Sequence, residues 1–208
     1  MIITNKLTIV IITIVVILLS VILHEIMHGL VAKWLGDTTA EEEGRLTLNP
    51  IPHIDPVTTL ALPLLLAIAG QPIFGAAKPV PVFRNRLKWD EFGMALVGIA
   101  GPLTNLLLAV IGGIIVRVFA IDSDLWITWW VYFVSINIGF FVFNMIPIPP
   151  LDGSRVLYAF APEPVQNIMD RLENYGIFIV LGLVLLGMPI IGPIVSSLYK
   201  SLISIILG

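Results

Sequence analysis

The stretch Val21-Ile22-Leu23-His24-Glu25-Ile26-Met27-His28-Gly29 sits inside an apolar run covering residues 7–35. It spells H-E-x-x-H. Two histidines four apart lie on one face of a helix, where their imidazoles can share a zinc ion. The glutamate between them is placed to take a proton from a metal-bound water. A run of this length crosses about 30 Å of hydrocarbon. Three ionisable groups inside it are expensive and mark a functional site.

The rest of the chain agrees with a membrane setting. Of 208 residues, 58% are hydrophobic and only 12% are charged, whereas a soluble domain carries roughly 25% charged residues. The length suits one membrane-embedded domain over residues 1–208, with a core at 7–160 and C-terminal helices at 175–207. The net charge of −3 includes no long basic run, which argues against nucleic acid as a partner. The chain has no cysteine, so disulfides, thiolate ligands and cysteine nucleophiles are excluded. Residues 1–20 superficially resemble a signal peptide, with Lys6 ahead of apolar residues. No small-x-small cleavage site follows, and the run continues into the H-E-x-x-H, so a retained transmembrane segment is expected.

Hydropathy predicts an all-α polytopic membrane protein with about five to six hydrophobic segments. They cover residues 7–35, 57–74, 92–119, 126–146, 175–187 and 190–207, the last two divided at Met188-Pro189. Trp126, Trp129 and Trp130 mark a membrane interface. Lys78, Arg84, Arg86 and Lys88 between segments two and three, and Arg155 and Arg171 after segment four, place those stretches in the cytoplasm. The acidic turn around Asp122 and Asp124 is then outside. There is no internal repeat.

A catalytic zinc usually takes three protein ligands and leaves one position open. With no cysteine present, the third donor must be His53 or a carboxylate. Asp152 is the strongest candidate. It ends Asn144-Met145-Ile146-Pro147-Ile148-Pro149-Pro150-Leu151-Asp152-Gly153, where prolines break the helix and can turn a carboxylate inward. Irregular backbone at membrane depth is tolerated where it lines a cavity.

These residues together resemble the site-2 protease family of intramembrane zinc metalloproteases. The resemblance covers most of the chain. It rests on H-E-x-x-H at 24–28, Gly101-Pro102-Leu103-Thr104-Asn105, and N-x-x-P-x-x-P-L-D-G at 144–153, in that order. It implies His24, His28 and Asp152 as ligands of one Zn²⁺, Glu25 as the catalytic base and a role near the site for Asn144. Asn105 belongs to the second motif, as a hydrogen-bond partner of the site or as plain glue between helices. The length leaves no space for the PDZ or CBS domain of larger members, and the first segment already carries the H-E-x-x-H.

The ligands can meet only if segment one runs inward, as segment four does. Segment two must then begin and end on the cytoplasmic side, as a re-entrant or shallow element. Its Pro63, Gly70 and Pro72 allow this. Lys78-Pro79-Val80-Pro81-Val82 reads as a small strand or hairpin element near the cytoplasmic face. Its prolines leave donors on one edge only, at Lys78, Val80 and Val82. That edge either holds unwound substrate by strand addition or is blunted against aggregation. His53 reads most simply as an interfacial loop histidine; an approach to the zinc, a gate or a second metal site with Asp55 are the other readings. Asn137 reads as structural, and Glu41-Glu42-Glu43 as a solvated loop.

The sequence thus leads to an intramembrane zinc endopeptidase in a prokaryotic cell membrane, with its site nearer the cytoplasm. It would act on transmembrane protein substrates within the lipid bilayer. A metal-ion transporter and a non-catalytic membrane-protein-binding relative are the alternatives. Transport predicts inverted repeats or several broken spans, and neither is seen.

Overall fold

In the computed structural model, residues 5–68, 77–119 and 123–208 are described. Helix α1 spans Lys6–Trp34, with Asn5 accepting the Thr8 N–H as its N-cap. Its buried side includes Ile12, Val16, Ser20, His24 and His28, a strict four-residue stripe. Leu7, Val10, Ile14, Leu18 and other large apolar residues face outward. Polar groups inside and apolar ones outside suit a helix solvated by lipid.

The helix stops by a Schellman motif. Gly36 has φ of 114°. Its N–H returns to the Lys33 carbonyl and the Asp37 N–H to that of Ala32. Only glycine takes that conformation cheaply. The turn delivers Asp37 to the interior, fully buried.

Short elements follow: α2 at Thr39–Glu42, a 3-10 turn at Ile51–His53, a π turn at Pro56–Ala61 and α3 at Leu62–Ile68. The π turn and α3 together give a helix of roughly 20 Å at about 1.5 Å per residue, short of a span. Gly70 and Pro72 of segment two lie outside the described residues. Residues 77–83 form neither helix nor strand and lead to a 3-10 turn at Arg84–Arg86. Among the described residues there is no strand, so the small strand or hairpin element is not seen there.

Helix α4, Asp90–Val118, carries the matching stripe of Gly93, Val97, Gly101, Asn105, Ala109 and Gly113. Small residues let helices approach closely in a membrane, where lipid removes the hydrophobic drive to associate. Helix α5 spans Asp124–Asn144. Pairings fix directions. His28 meets Val97 and Ser20 meets Asn105, so α1 and α4 are antiparallel. Asn105 meets Asn137 and Gly112 faces Val134, so α4 and α5 are antiparallel as well. Helices α1 and α5 therefore run the same way. The Lys88 N–H donates to the Leu35 carbonyl at 2.7 Å, joining the end of α1 to the approach of α4.

Two amphipathic helices, α6 at Asp152–Phe160 and α7 at Glu163–Glu173, come next. The chain ends with α8 at Gly176–Gly182, a π turn at Leu183–Gly187, and α9 at Met188–Leu207. The expected division at Met188-Pro189 falls where the π turn gives way to α9. Gly187 is right-handed helical and Pro189 lies in the first turn of α9, where its missing N–H costs nothing. Four helices are long and apolar enough to cross a membrane: Lys6–Trp34, Asp90–Val118, Asp124–Asn144 and Pro189–Leu207. The protein is thus helical with four candidate membrane-spanning helices among the described residues, and a shorter apolar helix at Gly176–Gly187; the expected five to six hydrophobic segments are not all confirmed as spans.

Candidate active site

His24 and His28 project from α1 toward α4. Asp152 opens α6, just past the proline-rich turn that follows α5. Gly153 makes that turn possible, because a Cβ there would collide with the Met145 carbonyl. Nε2 of His24 stands 3.0 Å from Nε2 of His28 and 3.1 Å from Oδ2 of Asp152. Nε2 of His28 is 3.3 Å from the same oxygen. All three residues are buried. A tetrahedral ion with bonds near 2.0–2.1 Å needs donor separations of about 3.3 Å, so this donor set fits one zinc ion.

The other ring nitrogens support that fit. His28 Nδ1 is 2.6 Å from the Val97 carbonyl oxygen. A carbonyl only accepts, so Nδ1 carries the proton and the Nε2 lone pair faces the group. His24 Nδ1 is 2.6 Å from Asn105 Oδ1. Metal-ligating histidines characteristically donate their second N–H in this way. On the α4 side the site is walled by Gly101, where a Cβ would collide with Nε2 of both histidines.

Glu25 lies one residue beyond His24, half-buried, with Oε2 accepting the Val80 N–H at 3.0 Å. The 77–83 segment is fixed elsewhere too. Lys78 donates to the His53 carbonyl, and its own carbonyl accepts from buried Arg45 at 2.6 Å. Phe83 donates to Asp37 Oδ2 at 2.6 Å. Two of the three donors read as a substrate edge, Lys78 and Val80, are therefore engaged within the chain. No such bond involves Val82 among the described residues.

Asn144 ends α5, and its amide donates to the Phe140 carbonyl at 3.1 Å rather than to the three-residue group. His53 Nε2 donates to the Thr47 carbonyl of its own loop at 3.0 Å. Asp55 caps the π turn through the Val57 and Thr58 N–H groups. Beside Asp152 a cleft of about 80 Å³ is lined by Val82, Arg84, Ser154, Arg155 and Tyr158, among others. Arg155 stands 3.6 Å from Asp152 Oδ1, and Arg84 donates to the Tyr158 hydroxyl at 2.7 Å. Asp37, Arg45 and Arg155 were not singled out from the sequence as parts of this site. The signal in the sequence that could have found Asp37 is Gly36, a residue that ends helices.

Comparisons with known proteins agree with this geometry. Residues 118–187 match the model of Peptidase family M50. A Bacillus subtilis protein described as "Putative zinc metalloprotease YwhC" is 36% identical over 197 residues, covering 88% of this chain and 85% of that one. "Putative zinc metalloprotease Rip2" of Mycolicibacterium smegmatis is 30% identical, covering 84% of this chain and 67% of its own. "Putative zinc metalloprotease MJ0611" of Methanocaldococcus jannaschii is 33% identical, covering 65% and 63%. No solved structure matches the chain. The chain belongs to peptidase family M50, the site-2 proteases, and is a zinc metalloprotease of that family. The transporter reading is not favoured.

Proposed function

We propose that the protein is an intramembrane endopeptidase that hydrolyses peptide bonds within or near transmembrane segments of other membrane proteins. One observation carries the reading. The three-donor group is assembled among helices whose outer faces are apolar. A substrate reaching it comes from the bilayer, and its helix must unwind to expose a peptide bond.

His24, His28 and Asp152 hold the zinc. When bound, zinc supplies Lewis acidity and brings a coordinated water toward a pKa of about 7. Glu25 accepts the proton released as the scissile carbonyl is attacked, then returns it to the leaving nitrogen. The Val80 N–H orients the Glu25 carboxylate for this work. The Asn144 amide keeps a second N–H beside the one given to Phe140, and this one serves the developing oxyanion. Asn105 fixes the His24 ring. The 77–83 segment receives unwound substrate along its edge, starting at Val82 and joined by Lys78 once it leaves its present partner, while Val80 stays bonded to Glu25. Water reaches the site through the cleft at Arg84 and Arg155.

The cluster of basic residues at 78–88 supports a site nearer the cytoplasm, and the Bacillus relative supports a prokaryotic cell membrane. Residues 36–89 then leave and return on one side, with segment two re-entrant or shallow. The Lys88–Leu35 bond supports this. Glu43 and Asn85 are exposed, and the cysteine-free chain permits single-cysteine labelling at each. Both should label from the cytoplasmic side, and opposite-side labelling would sink the topology.

The decisive experiment compares wild type with Glu25→Gln on a model transmembrane substrate in liposomes, with zinc measured in both. Zinc retained and cleavage reduced about 10²–10⁴-fold is expected for a lost general base. Undiminished cleavage by Glu25→Gln would refute the assignment.

A further inference from the structure

We infer that Asn137 is a positioning residue that sets the ring state of the zinc ligand His24 through Asn105. The sequence gives Asn137 only the look of helix glue. The structure places it at the start of a chain of hydrogen bonds whose polarity is set at that end. Asn137 Nδ2 lies 2.9 Å from the Phe133 carbonyl, four residues back on α5. A carbonyl accepts only, so that end of the amide must donate. Asn137 Oδ1 therefore faces α4 as an acceptor and takes Asn105 Nδ2–H at 2.9 Å. Asn105 Oδ1 is then left to accept from His24 Nδ1 at 2.6 Å. With the proton on Nδ1, the Nε2 lone pair is directed at His28 and Asp152.

Every link is oriented by the one before it. A flipped amide would set two donors, or two acceptors, against each other. Asn105 and Asn137 both have 0% exposure, so water does not relieve a mismatch. The second N–H of Asn105 reaches the Ser20 carbonyl at 3.3 Å, a longer bond of the same polarity. Asn137 supplies the shorter of the two restraints. The relay joins three helices: α5 fixes α4, and α4 fixes the ligand on α1. Its partner on the ligand helix is only as well ordered as its anchor on α5.

The inference rests on His24 holding zinc, and the test separates the two. Zinc affinity is measured on detergent-solubilised full-length protein by competition with a chromophoric chelator. The proteins are wild type, Asn105→Leu, Asn137→Leu and the double variant. Loss of an outer hydrogen-bond partner of a metal ligand typically costs about 10–100-fold in affinity. We expect about tenfold or more for each single variant, and no further loss in the double variant beyond Asn105→Leu. An Asn137→Leu effect that is the same with or without Asn105 overturns the proposal. So does an unchanged affinity in Asn137→Leu. A wild type that takes up no zinc overturns both this and the ligand assignment.

A spectroscopic readout distinguishes positioning from packing. The chain has only three histidines, so ¹⁵N-histidine spectra of the zinc-loaded protein are readily assigned. Wild type should show His24 protonated at Nδ1 with slow exchange, and Asn137→Leu should exchange that proton faster. Ile138→Ala, a cavity at the adjacent fully buried α5 position, should lower the unfolding temperature while leaving zinc affinity and the His24 signal unchanged. Equal effects from Ile138→Ala overturn the proposal. If Asn137→Leu does not accumulate, Asn137→Ser withdraws the side chain from Asn105 and should weaken zinc similarly. Unchanged affinity in that variant is equally fatal.

Discussion

Glu25 and Val80 are joined by a single hydrogen bond, from the Val80 backbone N–H to Oε2 at 3.0 Å. The bond ties the residue between the two histidines to a segment more than fifty positions downstream. It orders a carboxylate that has no other hydrogen-bond partner among the described residues. Val80→Pro deletes the donor and should cut cleavage of a transmembrane substrate at least tenfold, while zinc content stays that of wild type. Val80→Ala keeps the N–H and should cleave nearly normally. Peptide-release assays beside metal analysis separate these outcomes; normal cleavage by the proline variant would remove Val80 from the mechanism.

Gly101 leaves no space for a side chain beside the two Nε2 atoms. Gly101→Ala forces a methyl group against both histidines. Overpacking of this kind costs about 1–3 kcal/mol, or roughly a 5- to 150-fold loss of zinc affinity where it falls on the ligands. Chelator competition measures this directly. Gly139, where a Cβ meets nothing within 4 Å, is the control position.

Asp37 should dominate the acid sensitivity of the segment that holds Val80. Burial pushes its carboxyl up, but the Phe83 N–H, the Thr39 hydroxyl and N–H, and the Arg86 charge together hold it below its ordinary value. Its contribution is fully present above about pH 4, the unfolded value, and is lost as pH falls through the lower folded value. Asp37→Ala should cost at least about 1.5–3 kcal/mol, the worth of one bond to a charged group. The difference in unfolding temperature between wild type and variant should shrink in acid. A difference constant from pH 7 to pH 2 would contradict this.

Zinc should raise the unfolding temperature, because the folded chain alone assembles its three donors. At a free concentration of 100 times the dissociation constant, the gain is about 2.7 kcal/mol. EDTA should abolish it in wild type and have no effect on Asp152→Ala. Differential scanning fluorimetry in detergent reads both.

Much of the site is legible along the chain because its chemistry is local. His24 and His28 share a helix face by spacing alone, and Leu151-Asp152-Gly153 carries both the ligand and the glycine that lets it approach. The restricted set of N–H donors in 77–83 follows from its alternating prolines. What takes up its donors does not, since Glu25, the His53 carbonyl and Asp37 come from separate elements. Asn137 is illegible for the same reason. Its meaning depends on the register between α4 and α5, and an asparagine in an apolar run looks alike in any register. The division of the final apolar stretch is legible too, because Gly187 and Pro189 flank the start of α9.

The wide separation of the ligands also has a consequence for synthesis. His24 and Asp152 lie 128 positions apart. At about 5–20 residues per second, translation takes roughly 6–26 s to pass from one to the other. Throughout that interval α1 is made and its two histidines have no carboxylate to complete the set. The nascent chain is therefore born unarmed, and a product truncated before Asp152 stays so. Proteolytic competence arrives late, only after the helices that shield the site have been made.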